Sequence, residues 1–173
     1  MSFIHPKIRN GLVRKAATAA ATGFGLGFAP VAPGTFGALL GLGIVWIFTE
    51  LSLSVPAQIA ACAALSVLCV PVASIAEKDL GRGKDPGAVV CDEYLTFPIC
   101  MIGMTELWRE HVWLMPLCFA VNRALDVAKP YPAYRLQMLP AGLGIAIDDF
   151  LISIYALGVN WAAYLLVVRF AGG

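Results

Sequence analysis

Residues 36–76 read FGALLGLGIVWIFTELSLSVPAQIAACAALSVLCVPVASIA and carry one charge, Glu50. A helix that crosses a bilayer needs about 20 consecutive apolar residues. This stretch holds two runs near that length, joined at Ser52–Pro56, and predicts helices at about 36–51 and 57–76. Upstream lies GFGLGFAPVAPG, within 22–35, where four glycines and two prolines break any spanning helix. Irregular backbone is not tolerated against lipid, so a re-entrant Gly/Pro-rich loop lining a protected cavity is expected there. Downstream, 77–93 (EKDLGRGKDPGAVVCDE) is the first strongly polar segment. Two short apolar runs, 94–105 and 112–122, follow it. They predict a helical hairpin with arms short for a full crossing. The last uncharged run, 150–168, predicts a third long helix. The expectation is an all-α integral membrane protein, one domain over 1–173.

Composition supports this class. Hydrophobic residues make up 60% and charged residues 13%, against about 45–50% and 25% in soluble domains. Mean hydropathy is +0.80. Disorder needs the opposite balance. Twelve basic and eleven acidic residues give a formal charge of +1, with no basic excess to meet a nucleic-acid backbone. The five cysteines form no CxxC and mostly lie in apolar runs, so we read them as reduced core residues. The two histidines are far apart, which argues against zinc. A glycine-proline segment separates the basic start from the first long apolar run, which argues against a cleaved leader.

Charge sets the expected orientation. With the N-terminus, 77–93 and 123–147 on one side, that side holds ten of the twelve Lys and Arg residues. The positive-inside rule makes it cytoplasmic. Eight of the eleven acids lie in or beside the same polar segments: Glu77, Asp79, Asp85, Asp92, Glu93, Asp126, Asp148 and Asp149. Ionisable groups next to membrane helices persist when they pair, bind a cation or face water.

Four segments hold candidate chemistry. In KDPGAVVCDE (84–93), Asp85 before Pro86 suits a helix N-cap, with Asp92 and Glu93 two turns inside that helix. In NRALDVAKPYP (122–132), Arg123, Asp126 and Lys129 are spaced i, i+3, i+6 on a helix ended by Pro130. This reads either as an ion pair at a helix end or as a metal ligand, Asp126, between phosphate-binding bases. In LPAGLGIAIDDF (139–150), Asp148 and Asp149 enter an apolar helix with no base nearby in sequence, which calls for a cation or a distant base. In TGFGLGFAPVAPGTFG (22–37), the glycines allow backbone N–H groups to approach an anion, and Thr35 can cap the helix starting near Phe36. Hard oxygen ligands without His or thiolate clusters point to Mg²⁺ or Mn²⁺. Neither a C-x5-R loop nor a DxD motif occurs, so metal-activated water attacking phosphorus is the mechanism left.

Together the four segments resemble the phosphatidylglycerophosphatase A family of bacterial membrane enzymes, in the same order and from about residue 18 onward. The resemblance implies hydrolysis of phosphatidylglycerophosphate to phosphatidylglycerol and phosphate. It also implies Mg²⁺ dependence and a site at the cytoplasmic face of the inner membrane. On this reading Asp92, Glu93, Asp126, Asp148 and Asp149 are the metal candidates, and the catalytic base lies among Asp92, Glu93, Asp126 and Asp149. Lys84, Arg123 and Lys129, with Thr22, Gly23 and Thr35 of the glycine-rich loop, are the candidates for holding the lipid phosphate. A small transporter or ion-binding subunit is the alternative, but it should place its acids near mid-membrane, whereas these sit at helix ends on one side. A peripheral partner-binding helical domain is a third. Oligomeric state is left open.

Overall fold

The structure, a computed structural model, describes residues 11–81, 87–139 and 142–171. Its ordered elements are helical, with no strand among the described residues. They are α1 (Gly11–Ala21), α2 (Pro33–Glu50), α3 (Val55–Leu80), α4 (Cys91–Thr96), α5 (Leu107–Glu110), α6 (Leu114–Ala128), α7 (Ala133–Leu136) and α8 (Gly142–Ala171). Gly23–Phe28 and Phe97–Met101 form tighter 3-10 turns. Three helices, α2, α3 and α8, are long and apolar enough to cross a membrane. At 1.5 Å per residue α3 is about 39 Å long, more than the ~30 Å hydrocarbon core. Their outward faces carry exposed apolar residues such as Val67, Leu68, Leu165 and Leu166, as lipid-facing helices should.

Helix limits follow local chemistry. α2 begins at Pro33, three residues before the expected start, because proline presets the dihedral of a first turn. Thr35 therefore lies inside that turn rather than capping it, and Ala32 holds the cap position with no side-chain bond. α3 ends at Gly81, whose φ of 59° is the left-handed conformation that stops helices. α1 was not expected. Its sequence GLVRKAATAAA is alanine-rich and free of proline, and it propagates as helix for that reason. Arg14 Nε and Thr18 Oγ1 both reach the Asp79 carboxylate, each at 2.7 Å, and tie α1 to the end of α3.

The expected hairpin takes a different form. Its first arm is the buried centre of the bundle, and Phe97, Pro98, Ile99, Cys100 and Met101 are all buried. Pro98 stops α4 from continuing as a regular helix, and the chain tightens and turns back. Side chains from the surrounding helices satisfy the irregular backbone. Asn160 Nδ2 donates to the Cys100 carbonyl at 3.0 Å and Trp161 Nε1 to the Ile102 carbonyl at 3.1 Å. The Gly103 N–H donates to Gln58 Oε1 at 2.9 Å, and Thr49 Oγ1 donates to the Thr105 carbonyl at 3.0 Å. Non-helical backbone at membrane depth is stable only when protein encloses it in this way.

Two further expectations are corrected. No helix runs through 87–90 into Asp92 and Glu93. Those residues are turn and irregular chain, and the Val90 N–H donates to the Ala21 carbonyl (2.8 Å) rather than one turn back. Asp92 and Glu93 thus stand in the first turn of α4. The last long helix starts at Gly142, not near 150, so Asp148 and Asp149 lie inside it. Gly142 makes this possible, since an added Cβ would collide with the Val70 carbonyl and with Ser74 of α3.

Candidate active site

The start of α2, the start of α4, the end of α6 and the first turns of α8 meet at one end of the bundle. On α6, Arg123 and Asp126 share a face as their spacing predicts, with Nη2 and Oδ2 3.0 Å apart. The other guanidinium nitrogen, Nη1, lies 4.0 Å from Glu93 Oε1. One planar cation thus bridges carboxylates from two helices. Glu93 in turn lies against the first turn of α2. A Cβ on Gly34 would overlap Glu93 Oε1 and stand 3.0 Å from Arg123 Nη2, and one on Gly37 would stand 3.0 Å from Glu93 Oε2.

Lys129 departs from the expected i, i+3 partnership with Asp126. It closes α6 in a left-handed conformation, φ 41°, with its N–H on the Leu125 carbonyl. That turn carries the side chain toward α7 and α8, where Nζ lies 2.6 Å from Asp148 Oδ2 and 3.4 Å from Gln137 Oε1. Burial lowers the pKa of the Lys129 ammonium, but the bond to Asp148, with the charges of Asp148, Asp149 and Asp126, outweighs it and holds the pKa above the ordinary lysine value.

Asp148 and Asp149 are 4% and 7% exposed. The Asp149 carboxyl is in hydrogen-bonding contact with Asp126 and within electrostatic reach of Asp148 and Glu93. Asp92 and Asp149 both lie within electrostatic reach of the buried Cys69 of α3. Glu93, Asp126, Asp148 and Asp149 are thereby brought together with Arg123 and Lys129, and Asp92 stands next to Glu93 in the first turn of α4. The donor set is all oxygen, the chemistry a hard divalent cation prefers. Among the described residues no three His, Cys, Asp or Glu side chains are already set as a metal-holding group. Arg123 and Lys129 engage the carboxylates in their place.

The glycine-rich segment is placed beside this cluster. Thr22 is buried and donates to the Ala19 carbonyl at 3.2 Å. Gly23, with φ 56°, packs under Val90 and Leu40. Thr35 is half-buried between Gly34 and Phe36. Lys84 and Asp85 lie outside the described residues. Sequence reasoning missed Gly34, Gly37 and Gln137. The G-x-x-G spacing at the head of α2 was the available signal for the first two.

A helical bundle with three helices long and apolar enough to cross a membrane, and a largely buried acid–base cluster at one end, defines an integral membrane protein with a polar site. The family model described as Phosphatidylglycerophosphatase A matches residues 19–164, and the chain belongs to this family of phosphatases. A Bacteroides thetaiotaomicron protein named "Putative phosphatidylinositol-3-phosphatase" is 36% identical, over 78% of this chain and 85% of its own length. The Phosphatidylglycerophosphatase A of Escherichia coli K12 is 30% identical, over 80% and 78%. That of Haemophilus influenzae is 35% identical, over 82% and 85%. No solved structure matches the chain.

Proposed function

We propose that the chain hydrolyses the phosphomonoester of phosphatidylglycerophosphate, releasing phosphatidylglycerol and phosphate, with Mg²⁺, at the cytoplasmic face of the bacterial inner membrane. The observation that carries the reading is Arg123 held between Glu93 and Asp126, beside the buried Asp149. Arg123 and Lys129 exchange their carboxylate partners for oxygens of the dianionic phosphate, the guanidinium offering two parallel donors. Glu93, Asp126 and Asp148, released by that exchange, would hold the cation together with Asp92 and Asp149. When bound, Mg²⁺ supplies charge neutralisation at the phosphoryl group and eases deprotonation of the attacking water. In this reading the Asp126–Asp149 pair, whose carboxyls are in hydrogen-bonding contact, accepts the proton that water loses. The ester P–O bond breaks as the new P–O bond forms, and the departing glycerol oxygen takes up the proton that the pair accepted from water.

The test is phosphate release from the purified full chain in detergent, with and without Mg²⁺. Asp92→Asn, Asp126→Asn and Asp149→Asn are each expected to cost orders of magnitude, while Glu50→Gln, at the far end, costs little. Parent-like turnover in all three would end the site assignment. The name of the Bacteroides relative favours a second reading, a 3-phosphorylated inositol lipid, and the same assay on that lipid separates the two. Orientation is tested by Tyr134→Cys, which should resist impermeant thiol reagents in intact cells.

A further inference from the structure

Between α1 and α2, residues 23–32 form a rim that is pinned on its inner side and apolar on its outer side. Inside, the Val90 N–H donates to the Ala21 carbonyl. Gly27 comes so near Ala88 that a Cβ would collide with its carbonyl, and Gly34 lies against Glu93 and Arg123. Outside, Phe24 is 80% exposed and Val31 74%. A cleft of about 280 Å³ is lined by Gly25, Leu26, Phe28, Ala29 and Phe36. Phe24 has φ 56° and stands between two other left-handed residues, Gly23 at 56° and Gly25 at 101°. A bulky residue rarely adopts this conformation, and burial does not repay it here, because the ring faces outward. Strain that the surroundings fix in place, displaying an apolar side chain next to a polar site, points to a functional role.

We propose that this rim binds the acyl–glycerol portion of the substrate phospholipid, seating a chain in the cleft while the phosphorylated headgroup crosses the start of α2 to reach Arg123. The proposal rests on the lipid phosphatase reading. The occupant follows from continuity and from charge. Phe36 belongs to both the cleft and α2, and exposed Leu39 extends the same helix toward the bilayer, so hydrocarbon adjoins the cleft directly. The sequence from Ala16 to Thr49 holds no charge, so no ion pair from this stretch would hold a charged partner on the rim.

The experiment compares long-chain phosphatidylglycerophosphate in mixed micelles with its deacylated, water-soluble counterpart. Phe24→Gly removes the ring and relaxes the backbone, so folding is not put at risk, and Phe28→Ser is the second variant. Each should raise KM on the micellar lipid about tenfold or more, with kcat/KM on the deacylated compound within about twofold of the parent. Equal losses on both substrates, or none on the lipid, overturn the proposal. So does a shift from dimer to monomer in detergent with Phe24→Gly, which would make a second copy the occupant. If the parent hydrolyses neither compound, the phosphatase reading has failed, and a measurement independent of activity decides this one. The added emission of Phe24→Trp should be quenched by phospholipid brominated on its acyl chains, and absence of quenching overturns the proposal.

Discussion

Gly34→Ala separates the chemistry of the site from the stability of the fold. The new Cβ would overlap Glu93 Oε1, stand 2.9 Å from the Glu93 carboxyl carbon and 3.0 Å from Arg123 Nη2, where ordinary contact begins at 3.4 Å. The carboxyl group must retreat by about 0.5 Å at its carbon and on the order of an ångström at Oε1, a misplacement that can cost about 100-fold in rate. The moving atoms are the end of a flexible side chain, so packing changes little. Gly34 is buried, and against the cost of moving the carboxyl stands the gain of up to about 1 kcal/mol from replacing a helical glycine by alanine. We therefore expect kcat/KM for phosphate release to fall about 100-fold while the thermal midpoint in detergent stays level or rises. Gly41→Ala should behave oppositely. Its Cβ would meet Phe97 Cβ at 2.5 Å and Cγ at 2.8 Å, a rigid core contact whose overpacking costs about 1–3 kcal/mol. Gly43→Ala, with nothing within 4 Å, is the control. Parent-like kcat/KM in Gly34→Ala would refute the view that the Glu93 position governs activity.

Three other outcomes follow from the same geometry. Arg123→Lys keeps the charge but cannot span Glu93 and Asp126 or two phosphate oxygens at once. It should lose about 10- to 100-fold in kcat/KM, the worth of one charge-assisted hydrogen bond at about 1.5–3 kcal/mol, and a rate equal to the parent would leave only a helix-end ion pair. The folded pKa of Lys129 lies above its ordinary value of 10.5, so stabilisation from the Asp148 pair is complete below 10.5 and fades as pH rises through the folded value. Thermal midpoints of the parent and Lys129→Met should differ by a constant amount from neutral pH up to 10.5 and converge above it. Gln58→Leu removes partners from the Gly103 N–H and the Thr105 hydroxyl and should lower stability by roughly 2–4 kcal/mol, and an unchanged unfolding midpoint in detergent would show that Gln58 does not hold this segment.

The long helices were legible because uncharged length is a property of sequence alone. Their ends were less so. Asp148 and Asp149 interrupt the hydropathy run and read as a helix entrance, yet a helix is continued by its backbone, and GLGIAI before them is fully able to form one. The 94–105 run read as one arm of a short helical hairpin rather than as the enclosed centre of the bundle, because apolar composition does not distinguish a membrane neighbour from a protein neighbour. The Arg123–Asp126 pair was legible from i, i+3 spacing. The Lys129–Asp148 pair was not, since it depends on a left-handed residue before Pro130. The G-x-x-G spacing of Gly34 and Gly37 signals a close approach to α2, but that Glu93 is what approaches depends on the fold.

The two polar ends of the bundle are coupled through the segment that joins them. Gln58, Thr49, Asn160 and Trp161 hold 100–105 at the far end. From there the buried 3-10 turn runs past Gly41, whose missing side chain admits Phe97. At the near end the Tyr94 hydroxyl donates to the Ala20 carbonyl at 2.9 Å. Fixed at both ends and enclosed by α2, α3 and α8, the segment has little freedom to slide, and the depth of α4 is set. Asp92 and Glu93, in the first turn of α4, take their position from that depth, and Gly34 is the match to it on α2. The glycine and amide residues far from any charge thus govern where the carboxylates stand, as a site built in close-packed protein requires.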